Sequence, residues 1–441
     1  MIRNISRRLK QLALGEFLVR RNPLHYPRLR ALFRQLLASG VGERRTQLEV
    51  LERSALRIAA ATTYGRSAGA RSAVEDWPLL EPATVRMRPR DFTGRRAWSI
   101  PSSTGGTTGI PLPLWRSPRS VAAEQAALDT VMDALGVDLA RARVAVLRGD
   151  DVKPPDDREP PFWRPSHGGR RLVFSSNHLN RATVADYARA LREFRADVWW
   201  VYPTAVESLA RLTADAGIPL AVPLVLSSSE VLGTRVREAA RSRFGARVID
   251  HYGQAERVAF AYASDDRQYR FLPGYSGVEL IPTERDGETL HEIVGTSLWN
   301  EAMPLVRYRT GDLIRLEGRP SAAELEEITL GLRAFGGILG RDGDILIAPD
   351  GTRLTGIDHF HRGVENIVRI QVLQPARERV EILLIPAAGF GEREREQVLA
   401  NVRKKLPASI AVELRVVDEL RRTALGKTPF VIREGSAARA D

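Results

Sequence analysis

The sequence predicts an α/β fold: a large N-terminal domain with mostly parallel sheet layers and an antiparallel β subdomain, followed by a small C-terminal α+β domain. Three observations predict it. Short β-rich runs alternate with helical runs between residues 143 and 252, turn-separated β segments follow, and the chain from 342 to 441 mixes strands with one clear helix. Alternation at these lengths calls for a parallel sheet with helices covering its faces.

Element by element, residues 1–95 read mainly as helices, for example Tyr26–Ser39 and Arg45–Ala61. The β-rich runs are Arg143–Leu147, Val198–Tyr202, Leu224–Ser227 and Arg247–Tyr252, with helical runs at Ala182–Arg195, Ala205–Ala216 and Thr234–Phe244. Arg148–Pro165, rich in Pro and Asp, reads as an exposed loop. The antiparallel texture covers Gln268–Leu272, Gly277–Ile281, Leu290–Leu298 and Leu305–Tyr308. Strands at Ile367–Leu373, Val380–Ile385 and Ala411–Val417 and a helix at Glu392–Leu406 make up the last domain, so the expected division is 1–341 and 342–441.

With 441 residues and 43% hydrophobic content, the chain can bury a sizeable core. No apolar run approaches the roughly 18 residues of a spanning helix, and Arg and Glu interrupt the N-terminal apolar residues before a secretory core could form, so a cytoplasmic protein without a transmembrane segment is expected. With no cysteine, disulfides, thiolate nucleophiles and Cys-based zinc sites are excluded. The net charge of +12 comes from arginine spread along the chain; the lysines are only Lys10, Lys153, Lys404, Lys405 and Lys427. No basic strand is interleaved with aromatics, so no nucleic-acid partner is expected. The basic segment 1–45 carries Leu and Val at helical spacing, which suits a helix packed on its own domain or one lying on a membrane surface.

Pro101-Ser-Ser-Thr-Gly-Gly-Thr-Thr-Gly109 combines glycine amides with hydroxyl donors, a composition suited to an oxyanion such as phosphate or, alternatively, to a surface linker. It lacks the lysine of GxxxxGK[ST] and does not fit GxGxxG. In parallel sheets ligands sit beyond the carboxyl ends of strands. That rule points to Ser227-Ser-Ser-Glu230 and Tyr252-Gly-Gln-Ala-Glu256. Ser227–Ser229 lacks the GxSxG elbow of hydrolases, and His359/His361, spaced like metal ligands but without cysteine nearby, is not read as a zinc site.

In order, the marked stretches are Ser102-Ser-Thr-Gly-Gly-Thr-Thr-Gly109, Ser227-Ser-Ser-Glu230, Tyr252-Gly-Gln-Ala-Glu256, Tyr308-Arg-Thr-Gly-Asp312, Gly340-Arg-Asp-Gly-Asp-Ile345 and Leu425-Gly-Lys-Thr428. This series resembles the adenylate-forming (acyl-CoA synthetase-like) superfamily and, within it, the phenylacetate–CoA ligase branch and its capsule-biosynthesis-like (CapK-type) members. The resemblance implies that ATP and Mg²⁺ convert a carboxylic acid to an acyl-adenylate with release of pyrophosphate. The acyl group then passes to coenzyme A or, alternatively, to an amine or a carrier phosphopantetheine. A non-catalytic nucleotide-binding relative is the reading from another class.

Carried onto this chain, the resemblance assigns Ser103, Thr104, Gly105, Gly106, Thr107, Thr108 and Gly109 to the phosphates. Ser229, Glu230, Tyr252 and Gly253 border the adenine, Glu256 takes the Mg²⁺, and Asp312 and Arg341 hold the ribose. Catalysis falls to Lys427, Glu256 and Thr107, with Lys427 contacting the carboxylate and α-phosphate. The small C-terminal domain would be mobile, turning about a hinge at Gly343 and Asp344. Each residue has a plainer reading: an aromatic core residue for Tyr252, a surface glutamate for Glu256, a turn aspartate for Asp312 with Arg309 ordering the turn, and a solvated surface lysine for Lys427. The family's adenine motif more often reads YGxTE, whereas this chain has Ala255. Trp200, Tyr202, His178 and His251 are candidates to line an acyl pocket, with core packing the alternative for Trp199-Trp200 and a hydrogen-bonded structural histidine for His251.

Overall fold

The computed structural model describes residues 16–69, 71–94, 98–103, 112–148, 152–153, 157, 159–175, 178–264, 268–285, 288–340, 346–349, 353–354, 357–361, 364, 366–386, 389–421 and 430–433. The chain divides into two compact units, residues 1–102 with 114–340, and residues 103–113 with 341–441.

In the first unit, helices α1 (Tyr26–Ala38) and α2 (Val41–Ala60) lead through α3 (Thr63–Ala68) and α4 (Pro82–Met87) to the short strands β1 (Ile100–Ser103) and β2 (Pro113–Arg116). Helix α5 (Pro118–Ala134) starts where a helix should: Ser117 accepts from the Ser120 N–H at 3.1 Å, and Pro118 occupies the first turn, where no amide partner is needed. The sheet that follows runs β3 (Val144–Leu147), β4 (Trp163–Ser166), β5 (Arg171–Phe174), β6 (Val198–Val201), β7 (Leu224–Ser228), β8 (Arg247–Gly253), β9 (Phe260–Ala263) and β10 (Tyr269–Phe271). Its spatial order is β10-β9-β8-β7-β6-β3-β5-β4. The inner strands β5, β3, β6, β7 and β8 are parallel, and antiparallel strands finish both edges.

Helices α6 (Val184–Phe194), α7 (Pro203–Asp215) and α8 (Thr234–Phe244) share one core with Ala145, Leu147, Trp199, Val201, Val225 and Val248. The alternate residues Val144, Val146, Val198, Trp200, Leu224, Leu226 and Ile249 pack with Leu128 and Met132 of α5. A strand covered on both faces buries every side chain, as Val198-Trp-Trp-Val201 does. Trp199 meets Phe244 edge-on at 4.9 Å under the helices, while Trp200 turns to the α5 side.

Helix α5 is itself buried from behind. Tyr26, Leu29 and Phe33 of α1 cluster with Ala122, Ala123, Ala126 and Ala127, residues small enough to let two helices approach closely. The polar centre of this contact is Asp129, which accepts from Arg21 Nε (2.8 Å) and Nη2 (2.9 Å), Tyr26 Oη (2.6 Å) and Gln125 Nε2 (2.9 Å). Burial, reinforced by that carboxylate, pushes the Tyr26 phenol up to about 12.

A second sheet, β11 (Ser276–Arg285), β12 (Glu288–Ser297), β13 (Tyr308–Ile314) and β14 (Ile338–Gly340), is antiparallel throughout. It lies tight against the residues after β8: a Cβ on Gly295 would stand 2.0 Å from the Val258 carbonyl oxygen, so only glycine fits there. Beyond α9 (Ala322–Thr329), the second unit holds β15 (Leu346–Ile347), β16 (Arg353–Leu354), β17 (Ile367–Ala376), β18 (Arg379–Pro386), α10 (Glu392–Arg403), β19 (Ala411–Val416) and β20 (Val431–Arg433). Its four-stranded sheet, β19-β18-β17-β20, is covered by Val398 and Val402 of α10.

The α/β class and the mostly parallel sheet agree with the sequence, and three assignments change. Gln268–Leu272 supplies β10 at the edge of the large sheet, where its cross-strand partners are in β9. The stretch read as an exposed loop buries Phe162 and continues into β4, because Phe162 stacks on Tyr187 of α6. Tyr308–Asp312 lies within β13 and is not a turn.

Replacing Asp129 with alanine removes the carboxylate to which Arg21 and the Tyr26 hydroxyl donate. It is expected to lower stability by about 3 kcal/mol, read as a reduced urea midpoint with m unchanged.

Candidate active site

The candidate site lies where β7 and β8 end and β13 comes up beside them. At the end of β7, Ser229 adopts a φ of 72°, the left-handed region, as the strand turns toward Glu230. At the end of β8, Tyr252 donates its hydroxyl hydrogen to Asp312 Oδ2 at 2.7 Å. Gln254 anchors the same hydroxyl through Nε2 and accepts from the Ala259 amide through Oε1 at 3.1 Å. Four residues before Asp312 on β13, Tyr308 donates to Glu256 Oε1 at 2.8 Å. One strand thus holds both Tyr252 and Glu256, four residues apart in the chain.

Alternation along β13 explains the pattern. Tyr308, Thr310 and Asp312 point to the buried face, where Thr310 Oγ1 donates to the Ile293 carbonyl (2.7 Å) and accepts from the Asp312 amide (3.0 Å). Arg309 points the other way and clamps Glu292 (2.9 Å) and Glu81 (2.8 Å), tying the strand to its neighbour and to the helical lead-in. Its work is to hold a strand rather than to order a turn.

A charged cluster closes the site on the α5 side. Glu124 accepts from the Tyr275 hydroxyl and stands 3.8 Å from Arg257 Nε and 3.9 Å from His251 Nε2. Burial alone would raise the Glu124 carboxyl, yet Arg257, the Tyr275 hydrogen bond and Arg116 hold it below the usual range. Burial pushes His251 down to about 4, so at neutral pH Arg257 rather than the imidazole balances Glu124. Burial and the nearby Arg257 push Arg116 down to about 10; its Nη2 donates to the Ala255 carbonyl at 2.8 Å.

Of the four acyl-pocket candidates, Trp200 and His251 share the α5 face of the sheet. Tyr202 packs against the core on the opposite face, although its ring lies 5.9 Å from the Arg148 guanidinium. His178 stands apart: it bonds Ser175 Oγ at 2.7 Å and stacks on Phe162 at 5.4 Å, beside α6. Ser103 ends β1. Thr104, Gly105, Gly106, Thr107, Thr108, Gly109, Arg341, Gly343, Asp344 and Lys427 lie outside the described residues.

Glu124, Arg116, Arg257 and the Tyr308–Glu256 bond were not singled out from the sequence. A glutamate on a helix reads as solvated, and nothing local marks partners 133 or 151 positions away such as Arg257 and Tyr275; the one usable signal was an arginine placed directly before a Ser-Pro helix start.

Among the described residues no three His, Cys, Asp or Glu side chains gather to hold a metal. Glu256 offers one buried carboxylate, a donor that fits a hard cation bringing its other ligands with it as phosphate and water. Among the described residues no helix is long and apolar enough to cross a membrane.

Residues 346–434 match the CapK C-terminal domain. Protein CapK of Staphylococcus aureus is 22% identical over 77% of this chain and 76% of its own length. Phenylacetate-coenzyme A ligase of Pseudomonas putida is 26% identical over 57% of this chain and 60% of its own, so the chain spans less than two thirds of that relative's length. A crystal structure of 2-hydroxyisobutyryl-CoA ligase in complex with 2-HIB-AMP and CoA superposes with a TM-score of 0.52 and 16% identity, over 89% of this chain and 90% of that one. The architecture is that of an adenylate-forming ligase. Residues 346–434 carry the match to the CapK C-terminal domain, and the chain as a whole is similar to protein CapK and, over a shorter span, to phenylacetate–CoA ligases.

The buried His251 sets a pH dependence whose sign is fixed. Its folded value of about 4 lies below the ordinary 6.5, so the unfolded chain binds the extra proton. Stability is full above about pH 6.5 and falls as the pH drops toward 4. In His251→Gln the loss between pH 6.5 and 5 is expected to be smaller than in the parent chain, as measured by urea unfolding at each pH.

Proposed function

We propose that the protein activates a carboxylic acid with ATP and passes the acyl group to coenzyme A. In the first step a carboxylate oxygen attacks the α-phosphorus of ATP, the bond to the bridging oxygen breaks, and pyrophosphate leaves. In the second the thiol of coenzyme A attacks the acyl carbon, a thioester forms, AMP departs and the thiol proton is lost. The observation that carries this reading is the approach of β13 to the end of β8, where side-chain hydrogen bonds set Tyr252 against Asp312 and Tyr308 against Glu256.

In this reading Tyr252 and the Ser229–Glu230 corner border the adenine, and Asp312, with Arg341, receives the ribose hydroxyls. Thr104, Thr107 and Thr108, with the glycine amides of 105, 106 and 109, grip the β- and γ-phosphates without a lysine. Mg²⁺ on the phosphates would neutralise charge, with Glu256 as its protein ligand. Lys427 meets the charge that builds on the α-phosphate and carboxylate. The division at 341/342 with a hinge at Gly343 and Asp344 would let the small domain serve each half-reaction in turn. The reaction belongs to the cytoplasm, where both nucleotides are supplied. Support for coenzyme A comes from the relatives: the curated ligases are named for phenylacetate and coenzyme A, and the solved ligase holds an acyl-AMP together with CoA. An amine or a carrier phosphopantetheine is the alternative acceptor, favoured by Ala255 at the position where the wider family carries threonine. A non-catalytic nucleotide-binding relative would have no use for Glu256, Asp312, Arg341 and Lys427 together.

The test is pyrophosphate release from ATP and Mg²⁺ against aryl, fatty and amino-acid carboxylates, each with and without coenzyme A. Release with one acid class, stimulated by coenzyme A, is the expected result; silence across the panel with ATP binding intact contradicts it. Lys427→Ala is expected to slow adenylation by 10²-fold or more, on the order of losing one preorganised charge contact, while still forming thioester from supplied acyl-adenylate. Equal loss of both steps removes that role. Asp312→Ala, losing two ribose hydrogen bonds, is expected to raise the KM for ATP by about tenfold or more.

A further inference from the structure

One cation at the carboxyl edge of the large sheet has no part in the roles above. Arg148 is the first residue after β3, and its guanidinium carbon lies 4.4 Å over the Trp200 ring. Strand alternation delivers Arg148, Trp200, Ser228 and His251 to the same face, the one that α5 covers, at the ends of four adjacent parallel strands. Trp200 is fixed there by its indole N–H, which donates to Ser228 Oγ at 3.1 Å.

The polar groups of this corner are unevenly satisfied. Arg148 Nε is buried without a hydrogen-bond partner, and so are both ring nitrogens of His251, whose side chain is 11% exposed. Among the described residues no carboxylate pairs with Arg148. Glu124, the carboxylate facing His251, is already engaged by the Tyr275 hydroxyl and Arg257. A half-buried guanidinium with an unused donor, beside an imidazole that burial keeps neutral, is a receptor for an anion or strong acceptor. It is also a poor place for a plain aryl group, because the guanidinium already covers the Trp200 ring face that such a group would stack on.

We propose that Arg148 selects the substrate: the acid activated by this protein is a dicarboxylic acid, one carboxylate being adenylated while Arg148, stacked on Trp200, holds the other. This rests on the adenylate-forming reading and names its substrate class. His251 supplies a neutral donor beside the same carboxylate, and Ser228 acts through Trp200 by fixing the ring on which Arg148 lies.

The test compares succinate with butyrate, glutarate with valerate, and isophthalate with benzoate on the full chain. Both kcat/KM from pyrophosphate release and Kd from calorimetry are measured, in the parent, Arg148→Gln and Arg148→Lys. At least one diacid is expected to exceed its matched monoacid by about tenfold or more, the worth of one charge-assisted contact. That ratio should collapse to about twofold in Arg148→Gln and stay intermediate in Arg148→Lys, which keeps the charge but loses the planar fork. Equal thermal melting of the variants and parent shows that folding is intact, and Arg148→Lys carries the comparison if the glutamine variant does not fold. A monoacid preference in the parent, or a diacid preference that survives Arg148→Gln, overturns the proposal. The two readings fail separately. Arg148-dependent diacid binding without pyrophosphate release would refute adenylation alone, and monoacid turnover indifferent to Arg148 would refute the substrate class alone.

Discussion

Five parallel strands covered on both faces bury almost every side chain along their length, and the rest of the molecule follows from that constraint. Val198-Trp-Trp-Val201 shows it at one strand, with Trp199 under the helices and Trp200 under α5. Most of the polar side chains gather at the strand ends, where Arg148, Tyr202, Ser228 and Tyr252 emerge, with Asp250 inside β8 bonded by the Tyr269 hydroxyl. The antiparallel sheet then supplies what the parallel sheet cannot, a strand at right register to present Tyr308 and Asp312 to Glu256 and Tyr252.

Buried charge is handled in two ways. Asp129 is surrounded by four donors and serves the docking of α1 on α5, a contact remote from the strand ends. Glu256, by contrast, receives a neutral phenol from Tyr308, and Tyr252 gives Asp312 another. A neutral donor orients a carboxylate without cancelling its charge. Glu124, held by Arg257 and Tyr275, lies between these cases: its charge is balanced internally and it shapes the wall opposite His251.

Much of the fold was legible because the signal was local. The helix Thr234–Phe244 and the strands Leu224–Ser228 and Arg247–Gly253 stand close to where period and turn chemistry put them. The outer part of the large sheet was less legible. Arg171–Phe174 and Trp163–Ser166 are four residues each, too short for a period, and Tyr269–Phe271 joins the large sheet through pairings that no local pattern encodes. At the site, Tyr252, Glu256 and Asp312 could be marked from ordered motifs, whereas their mutual hydrogen bonds span 52 to 60 residues of chain. Arg309 shows the limit of local reading: Arg-Thr-Gly-Asp is good turn sequence, but cross-strand bonding to Glu292 keeps it in a strand.

The central claim is that a carboxylate of the substrate becomes bonded to AMP at this strand edge. The most direct measurement uses an accepted acid labelled with ¹⁸O in both carboxylate oxygens, turned over with ATP and acceptor, followed by mass spectrometry of the products. Acyl-adenylate formation predicts one ¹⁸O atom in each AMP released and none in pyrophosphate. Label in inorganic phosphate, the mark of an acyl-phosphate, or AMP free of label, would contradict the account.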